Sequence, residues 1–598
     1  MMVNQDDILD VAVVGGGPSG LYSAWRLLTG KTESKGRGKA KGGRPIKKVT
    51  VFELSGRTGG RLLTWRPFPE QPGLNAELGG MRFYQEQGLV WGLINNHFVK
   101  QGKLQPPIDF YVTDPNGNNI WYLRENNLKA PDLTNPDKVP YRLDARARYA
   151  DPPTIINDVI GRMLAANREV IAERLGGPTR PMSWQEWDEV KPYLRYGSRR
   201  MWDVGFWNLL WDILSPEGYN YVTDAFGYYS ITNNWNAAEA MQFIYADFTG
   251  NPQYKTLNEG YDYLPYLVRQ EFVAAGGEVR LNTPVRAVNR NSEGLMEVWL
   301  EGADTPQLAR HVILAMPRRS LELLERTPLW QMDRVVGASG TLQNYLRSVI
   351  IYPAFKMFLA FETPWWRNPP ISMAAGRTVS DQPIRQTYYF PPLPGGFQPG
   401  KAPMDGPCLV MASYDDLNAV PFWQSLEDPQ DLKAVAKTQM MATLPGAASN
   451  ADTGPLQAHI AETNAALADE PGFHYAPPEM VRYALEQLQL VHYNQPLPDP
   501  MILPGNLKGY FLAAYKDWGH DPFGGGWNFW APQTDVRDVM QRIRRPFTDA
   551  NLYIVGDAYS GAQGWVEGAL TTAETMLREQ FDLAEDPTWQ PPGYYMGY

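Results

Sequence analysis

Residues 9–20 read LDVAVVGGGPSG, and no other feature narrows the fold of this chain so far. An apolar run ends in Gly15-x-Gly17-x-x-Gly20, and Leu21, Ala24, Trp25, Leu27 and Leu28 then recur at helical spacing. The pattern predicts a strand, a tight turn and a helix packed closely on the strand. Pro18 and Ser19 fall in the first turn of that helix, whose free N–H groups attract phosphate. Glycine turns are common, so the triplet alone is weak. Here a second apolar strand, KKVTVFE, ends in Glu53, an acceptor suited to a ribose hydroxyl. Glu53 lies 33 residues beyond Gly20, against a usual offset of roughly 20. The basic, glycine-rich stretch KTESKGRGKAKGGR at 31–44 accounts for the excess and reads as a solvated loop. LSGRTGGRLLTW follows, in which Gly59, Gly60 and Arg61 bring a second glycine turn and a cation toward the same pyrophosphate.

At 598 residues the chain exceeds what one hydrophobic core supports, so two or three interlocked domains are expected. A net charge of −10 argues against nucleic acid as a partner, because phosphate neutralisation needs a basic surface. Cys408 is the single cysteine, which excludes an intramolecular disulfide and a cysteine-cluster metal site. The six histidines are scattered without metal-ligand spacing, so no metal is expected. No apolar run approaches the ~18 residues of a membrane span. The acidic start MMVNQDDILD does not resemble a secretory leader, and a cytoplasmic location is the expectation.

Strand, GxGxxG, acid and then GGR resembles the FAD-binding amine oxidases. Further along, the chain resembles the L-amino-acid oxidases of the flavin amine oxidase superfamily. In AELGGMRF the likeness implies that Gly79, Gly80 and Met81 run along the flavin and that Arg82 clamps a substrate carboxylate. NLYIVGDAYSGAQGWVEGAL resembles the C-terminal flavin motif. It implies Gly556 and Asp557 near the ribityl–pyrophosphate region, and Gly564, Trp565, Val566 and Ala569 at a helix N-terminus facing the flavin, with Trp565 also a wall of the substrate cage. Asp557 stands where the family often has glutamate. YPAFKMFLAFETPWW implies that Lys356 positions a water at flavin N5. CLVMASYDD points to Tyr414 for a second hydrogen bond to the carboxylate, although the acidic pair follows it more closely than in the family. YKDWGHDPFGGGWNFW points to Trp518 as the other aromatic wall, and NTPVRAV puts Val285 near the adenine.

The resemblance implies a mixed α/β fold with a discontinuous Rossmann-like FAD domain (8–67, 255–335 and 543–585). A mixed-sheet substrate domain (68–130 and 336–542) and a helical domain (131–254) complete it. PPLPGGFQPGKAPMDGP at 391–407 reads as a Pro/Gly-rich loop, and the aperiodic tail DPTWQPPGYYMGY is expected to wrap the surface. No second GxGxxG follows a strand, so NADPH has no evident site and electrons must come from the organic substrate. The implied activity is oxidative deamination of an L-amino acid to the α-keto acid, ammonia and hydrogen peroxide, with FAD bound non-covalently. The expected partners are the amino acid, O₂ and a second copy of the chain, with neither nucleic acid nor membrane. A 2-monooxygenase, an amine oxidase and a non-enzymatic flavoprotein are the alternatives.

Overall fold

A computed structural model of the chain describes residues 7–598 apart from 33–44, 70, 72, 178–180, 250–251, 332–340, 391–404, 428–453 and 504–509. The basic stretch at 31–44 and the Pro/Gly-rich stretch at 391–407 thus lie almost wholly outside the described residues.

Two large sheets organise a mixed α/β fold. The first gathers segments that are far apart in sequence. In spatial order, Glu278–Arg280, Val49–Phe52, Leu9–Val14, Gln307–Leu314 and Leu552–Ile554 run parallel. The register sets Val11 opposite Val49 and His311, and Leu314 opposite Ile554. At its other end Gln307–Leu314 pairs antiparallel with Met296–Leu300, which in turn pairs with Val285–Arg290. The central strands are apolar on both faces, as a covered parallel sheet requires. Helix Pro18–Thr29 packs there with helices Tyr263–Ala274 and Val566–Phe581.

The second sheet has eight strands in the order Phe473–Tyr475, Ala513–Asp517, Ala354–Phe361, Cys408–Asp416, Gln386–Phe390, Arg377–Ser380, Trp121–Leu123 and Asn126–Leu128. Only the Arg377–Ser380 pairing with Trp121–Leu123 is parallel. Ala354–Phe361 is buried along its whole length. Side chains alternate across a strand. Phe355, Met357 and Leu359 therefore enter one core with Trp423, while Ala354, Phe358 and Ala360 face another with Leu63, Leu78 and Trp518. Lys356 belongs to this second face.

A helical layer covers one side: Pro152–Ala166, Arg168–Leu175, Trp184–Val190, Phe206–Ile213, Pro216–Phe226 and Ala237–Ile244. RRMWDVGFWNLLWDIL has a helical period, and it divides into a turn at Met201–Asp203 and the helix Phe206–Ile213. The break is at Gly205, where a Cβ would lie 1.7 Å from Asn234 Oδ1. The tail is more than a surface wrap. Trp589 is buried against Tyr22 and Trp25, and the Tyr595 and Tyr598 hydroxyls donate to Asp188 Oδ2 (2.8 Å) and Asp188 O (2.7 Å) in the helical layer. Single aromatic anchors leave no period to read.

Candidate active site

One elongated cavity takes its walls from both sheets and from the helical layer. At its first end two glycine turns meet. A Cβ on Gly20 would stand 1.9 Å from the Gly15 carbonyl oxygen, so only glycine lets the helix sit directly on the turn. A Cβ on Gly60 would approach Gly17 Cα to 3.1 Å, and nothing but Gly60 comes near the place of a Cβ on Gly17. The first turn of helix Pro18–Thr29 is thereby left open to the cavity. Glu53 Oε2 accepts from Gly16 N at 2.6 Å, and Oε1 accepts from Ser55 N at 2.9 Å and Ser55 Oγ at 2.8 Å. Burial pushes the Glu53 carboxyl up from its ordinary range, and these donors oppose the shift. Arg61 pairs with Asp557 and donates to Gly526 O at 3.0 Å. A backbone cradle clear of side chains, a half-buried acid beyond it and a cation alongside fit the ribose and pyrophosphate of a dinucleotide.

The far end is aromatic. Lys356 Nζ donates to Glu77 O (3.0 Å) and Gly79 O (2.6 Å), touches Met81 Sδ (3.4 Å) and lies 4.5 Å from the centroid of the Tyr414 ring. Burial pulls its pKa down to about 7, against the pull of Glu77. Arg82 lies over Tyr254, 4.2 Å from the ring centroid, and Nη1 donates to the Tyr388 hydroxyl at 3.4 Å. Neither acid near it in sequence pairs with it. Glu77 accepts instead from Tyr261 N (2.9 Å) and Thr64 Oγ1 (2.8 Å), and Glu86 is exposed. Among the described residues Arg82 has no ion pair at all.

Trp565 precedes helix Val566–Phe581 and stacks parallel to Tyr254 at 6.4 Å, with Tyr84 edge-on at 5.2 Å. Glu567 ties this helix to the segment after Arg82 by accepting from Leu89 N (2.9 Å) and Val90 N (2.8 Å). Tyr414 sits directly opposite Lys356, just past a register shift that re-aims the strand. The acid that follows it closely has a use: Asp416 accepts from Tyr229 N (2.8 Å) and Ser230 N (2.9 Å), holding the loop of Tyr228. The Tyr228 ring is edge-on to Tyr414 at 5.3 Å.

Residues 18–435 match the family described as flavin-containing amine oxidoreductase. The chain belongs to that family. It is a flavoprotein oxidoreductase. Aplysianin-A of Aplysia kurodai is 25% identical over 617 residues, 98% of this chain and 92% of that protein. The L-amino-acid oxidase of Mus musculus is 25% identical over 430 residues, 71% of this chain and 56% of that protein. A solved putrescine oxidase variant shares the fold, with a TM-score of 0.55 at 15% identity over 95% of this chain and 98% of that one.

In this flavin amine oxidoreductase Lys356, Arg82, Tyr414, Trp518 and Trp565 all line the one cavity. So do Gly15, Gly17, Pro18, Ser19, Glu53, Gly60, Arg61, Gly79, Gly80, Met81, Val285, Gly556, Asp557, Gly564, Val566 and Ala569. Gly20 is the exception and packs behind it. Trp518 has a second task, since its indole N–H donates to Leu78 O at 2.8 Å and so holds the Gly79–Gly80 segment. Sequence reasoning missed Tyr228, Asp247, Tyr254, Tyr388 and Trp527. Trp527 stands beside Gly564 and edge-on to Tyr414 (6.4 Å) and Tyr228 (6.3 Å). Its only signal was its place in the stretch that suggested Trp518. Among the described residues, no helix is long and apolar enough to cross a membrane.

Proposed function

We propose that this flavin amine oxidoreductase oxidises L-amino acids: amino acid, O₂ and water give the α-keto acid, ammonia and hydrogen peroxide. Arg82 carries the reading. A guanidinium that stays charged, stands in a cage of tyrosines and has no ion pair among the described residues calls for a carboxylate from outside, which it can hold through two parallel hydrogen bonds. The Tyr414 hydroxyl would share that carboxylate. Gly17, Ser19, Glu53, Arg61 and Asp557 would hold the nucleotide and ribityl parts of FAD, and Lys356 and Trp565 would flank its ring. The chemistry FAD supplies when bound is acceptance of two electrons from the substrate and their return to O₂.

The chain's own work is orientation. Arg82 fixes the carboxylate end, so the Cα–H bond takes one direction. Trp565 and Trp527 wall the cage and exclude water, with Tyr254 stacked on Trp565. Lys356 is pinned by two carbonyls, and with its pKa drawn down to about 7 it can hold or move a proton at Nζ near neutral pH. Attachment of the cofactor is non-covalent in this reading. Cys408 is buried in its strand with Sγ 3.6 Å from Phe361 O, outside the cavity lining. Acid precipitation should release all the yellow colour, and colour left in the pellet would refute this.

A panel of the twenty L-amino acids, read for peroxide and keto acid, tests the activity. Amide products would favour a 2-monooxygenase, and better turnover of decarboxylated amines would favour an amine oxidase. Failure of every amino acid to bleach the flavin anaerobically would sink the reading.

A further inference from the structure

Three acids line the cavity: Glu53, Asp247 and Asp557. Glu53 is held by Gly16 and Ser55, and Asp557 is paired with Arg61. Asp247 differs. It is buried, its carboxylate accepts from the Tyr254 hydroxyl, and among the described residues it has no ion pair. It belongs to the helical layer. Asn236 begins helix Ala237–Ile244 by accepting from Ala238 N and Glu239 N, and the chain continues as a wider helical turn through Thr249. Phe243 and Asp247, four residues apart, both reach the cavity.

The charges on the cavity wall then sort themselves. Arg61 is neutralised by Asp557, and Lys356 is enclosed by backbone carbonyls. Arg82 and Asp247 are left, one at the face and one at the hydroxyl of Tyr254. Arg377, whose charge Asp247 also feels, is engaged by Gln386 Oε1 at 2.7 Å. Burial pushes the Asp247 carboxyl up, with Arg82 opposing, so its charge is costly until a cation arrives.

We propose that Asp247 receives a cationic side chain, so that the site prefers amino acids such as lysine, ornithine or arginine. This rests on the amino-acid reading of the same site. With the α-carboxylate on Arg82, the methylene stem runs along the apolar wall of Ile231, Phe243 and Phe529 and ends at Asp247. The α-amino group is a poorer partner. Oxidation draws on the lone pair of a neutral amine, and an ionised carboxylate beside the ammonium would keep it protonated. A side-chain ammonium or guanidinium stays charged throughout.

The experiment compares kcat/KM for L-lysine and L-norleucine, which differ at the terminal ammonium, in the wild-type holoenzyme and in Asp247→Asn. Wild type should favour lysine by at least roughly 10-fold, and the lysine-to-norleucine ratio should fall by at least roughly 10-fold in the variant. Two outcomes overturn the proposal: a wild type that oxidises norleucine as well as lysine, or a variant that loses both substrates in equal proportion. Equal losses would place Asp247 at the α-ammonium or behind Arg82 through Tyr254. If the variant does not retain flavin, the wild-type ratio alone decides. Failure of the amino-acid reading looks different, because then neither amino acid bleaches the wild-type flavin.

Discussion

The two ends of the cavity obey opposite rules. At the nucleotide end every charge has its partner inside the protein: Glu53 takes three donors and Arg61 takes Asp557. The shape there comes from absent side chains, glycine against glycine. At the substrate end the shape comes from large rings, and Arg82 and Asp247 lack ion-pair partners among the described residues. The first end is complete before its ligand arrives, apart from the open N–H groups. In the proposed function the second is completed by its ligand. A closed end should therefore fail as a structure when altered, and an open end should fail as a catalyst.

The largest effect should come from Gly20→Val. Its Cβ would meet the Gly15 carbonyl at 1.9 Å, so helix and strand must part. FAD content and melting temperature should fall together, and a variant with wild-type FAD content would break the distinction. Arg82→Ala comes next. Losing a charge-assisted pair with the substrate costs about 2–5 kcal/mol, roughly 30-fold to several-thousand-fold in kcat/KM. FAD content and melting temperature should hold. Arg82→Lys should already be harmful, because a point charge cannot copy the fork. Equal losses for amino acids and for the matching decarboxylated amines would show Arg82 to be structural.

Lys356→Met should slow turnover on the order of 10²-fold while amino-acid binding survives. Wild-type rates of flavin reduction and reoxidation in stopped flow would make Lys356 a packing residue. The same variant carries the smallest and sharpest signal. The Lys356 ammonium loses its proton near pH 7 in the folded protein but only near ~10.4 in the unfolded chain. Between those values the unfolded state binds more protons, so this lysine makes wild-type stability rise with pH. The melting-temperature advantage of Lys356→Met should be greatest at pH 7 and below, and should shrink toward pH 10. Glu77, buried nearby with its carboxyl pushed up to about 7, is present in both proteins and largely cancels. Parallel curves would mean that Lys356 is charged when buried.

What the sequence disclosed follows the same division. Gly15, Gly17 and Gly20 are close in the chain and their roles are backbone geometry, so local pattern sufficed, and Glu53 was marked by the end of the next apolar strand. Lys356 and Arg82 were reached through the family resemblance of YPAFKMFLAFETPWW and AELGGMRF. Tyr228, Tyr254, Tyr388 and Trp527 were not, because nothing local marks one tyrosine among 32 or one tryptophan among 20. Asp247 was hidden for a further reason: it stands out by lacking an ion pair among the described residues, which is a property of packing. The helix start at Gly205 was hidden likewise, because Asn234, which crowds it, comes from a later loop.

The first sheet has one more consequence, and it concerns time. Its parallel order sets Leu9–Val14 next to Gln307–Leu314, and that strand next to Leu552–Ile554. Loop-closure entropy must be spent across hundreds of residues before those pairings repay it, so a chain with such high contact order is slow to reach its native state. During synthesis the strand carrying the glycine turn emerges well before Leu552–Ile554, and the sheet waits for that later strand. Until then apolar edges stay uncovered and exposed to aggregation. Cofactor supply late in translation, slow growth temperature and chaperone capacity should therefore govern the yield of active enzyme more than the stability of the finished fold.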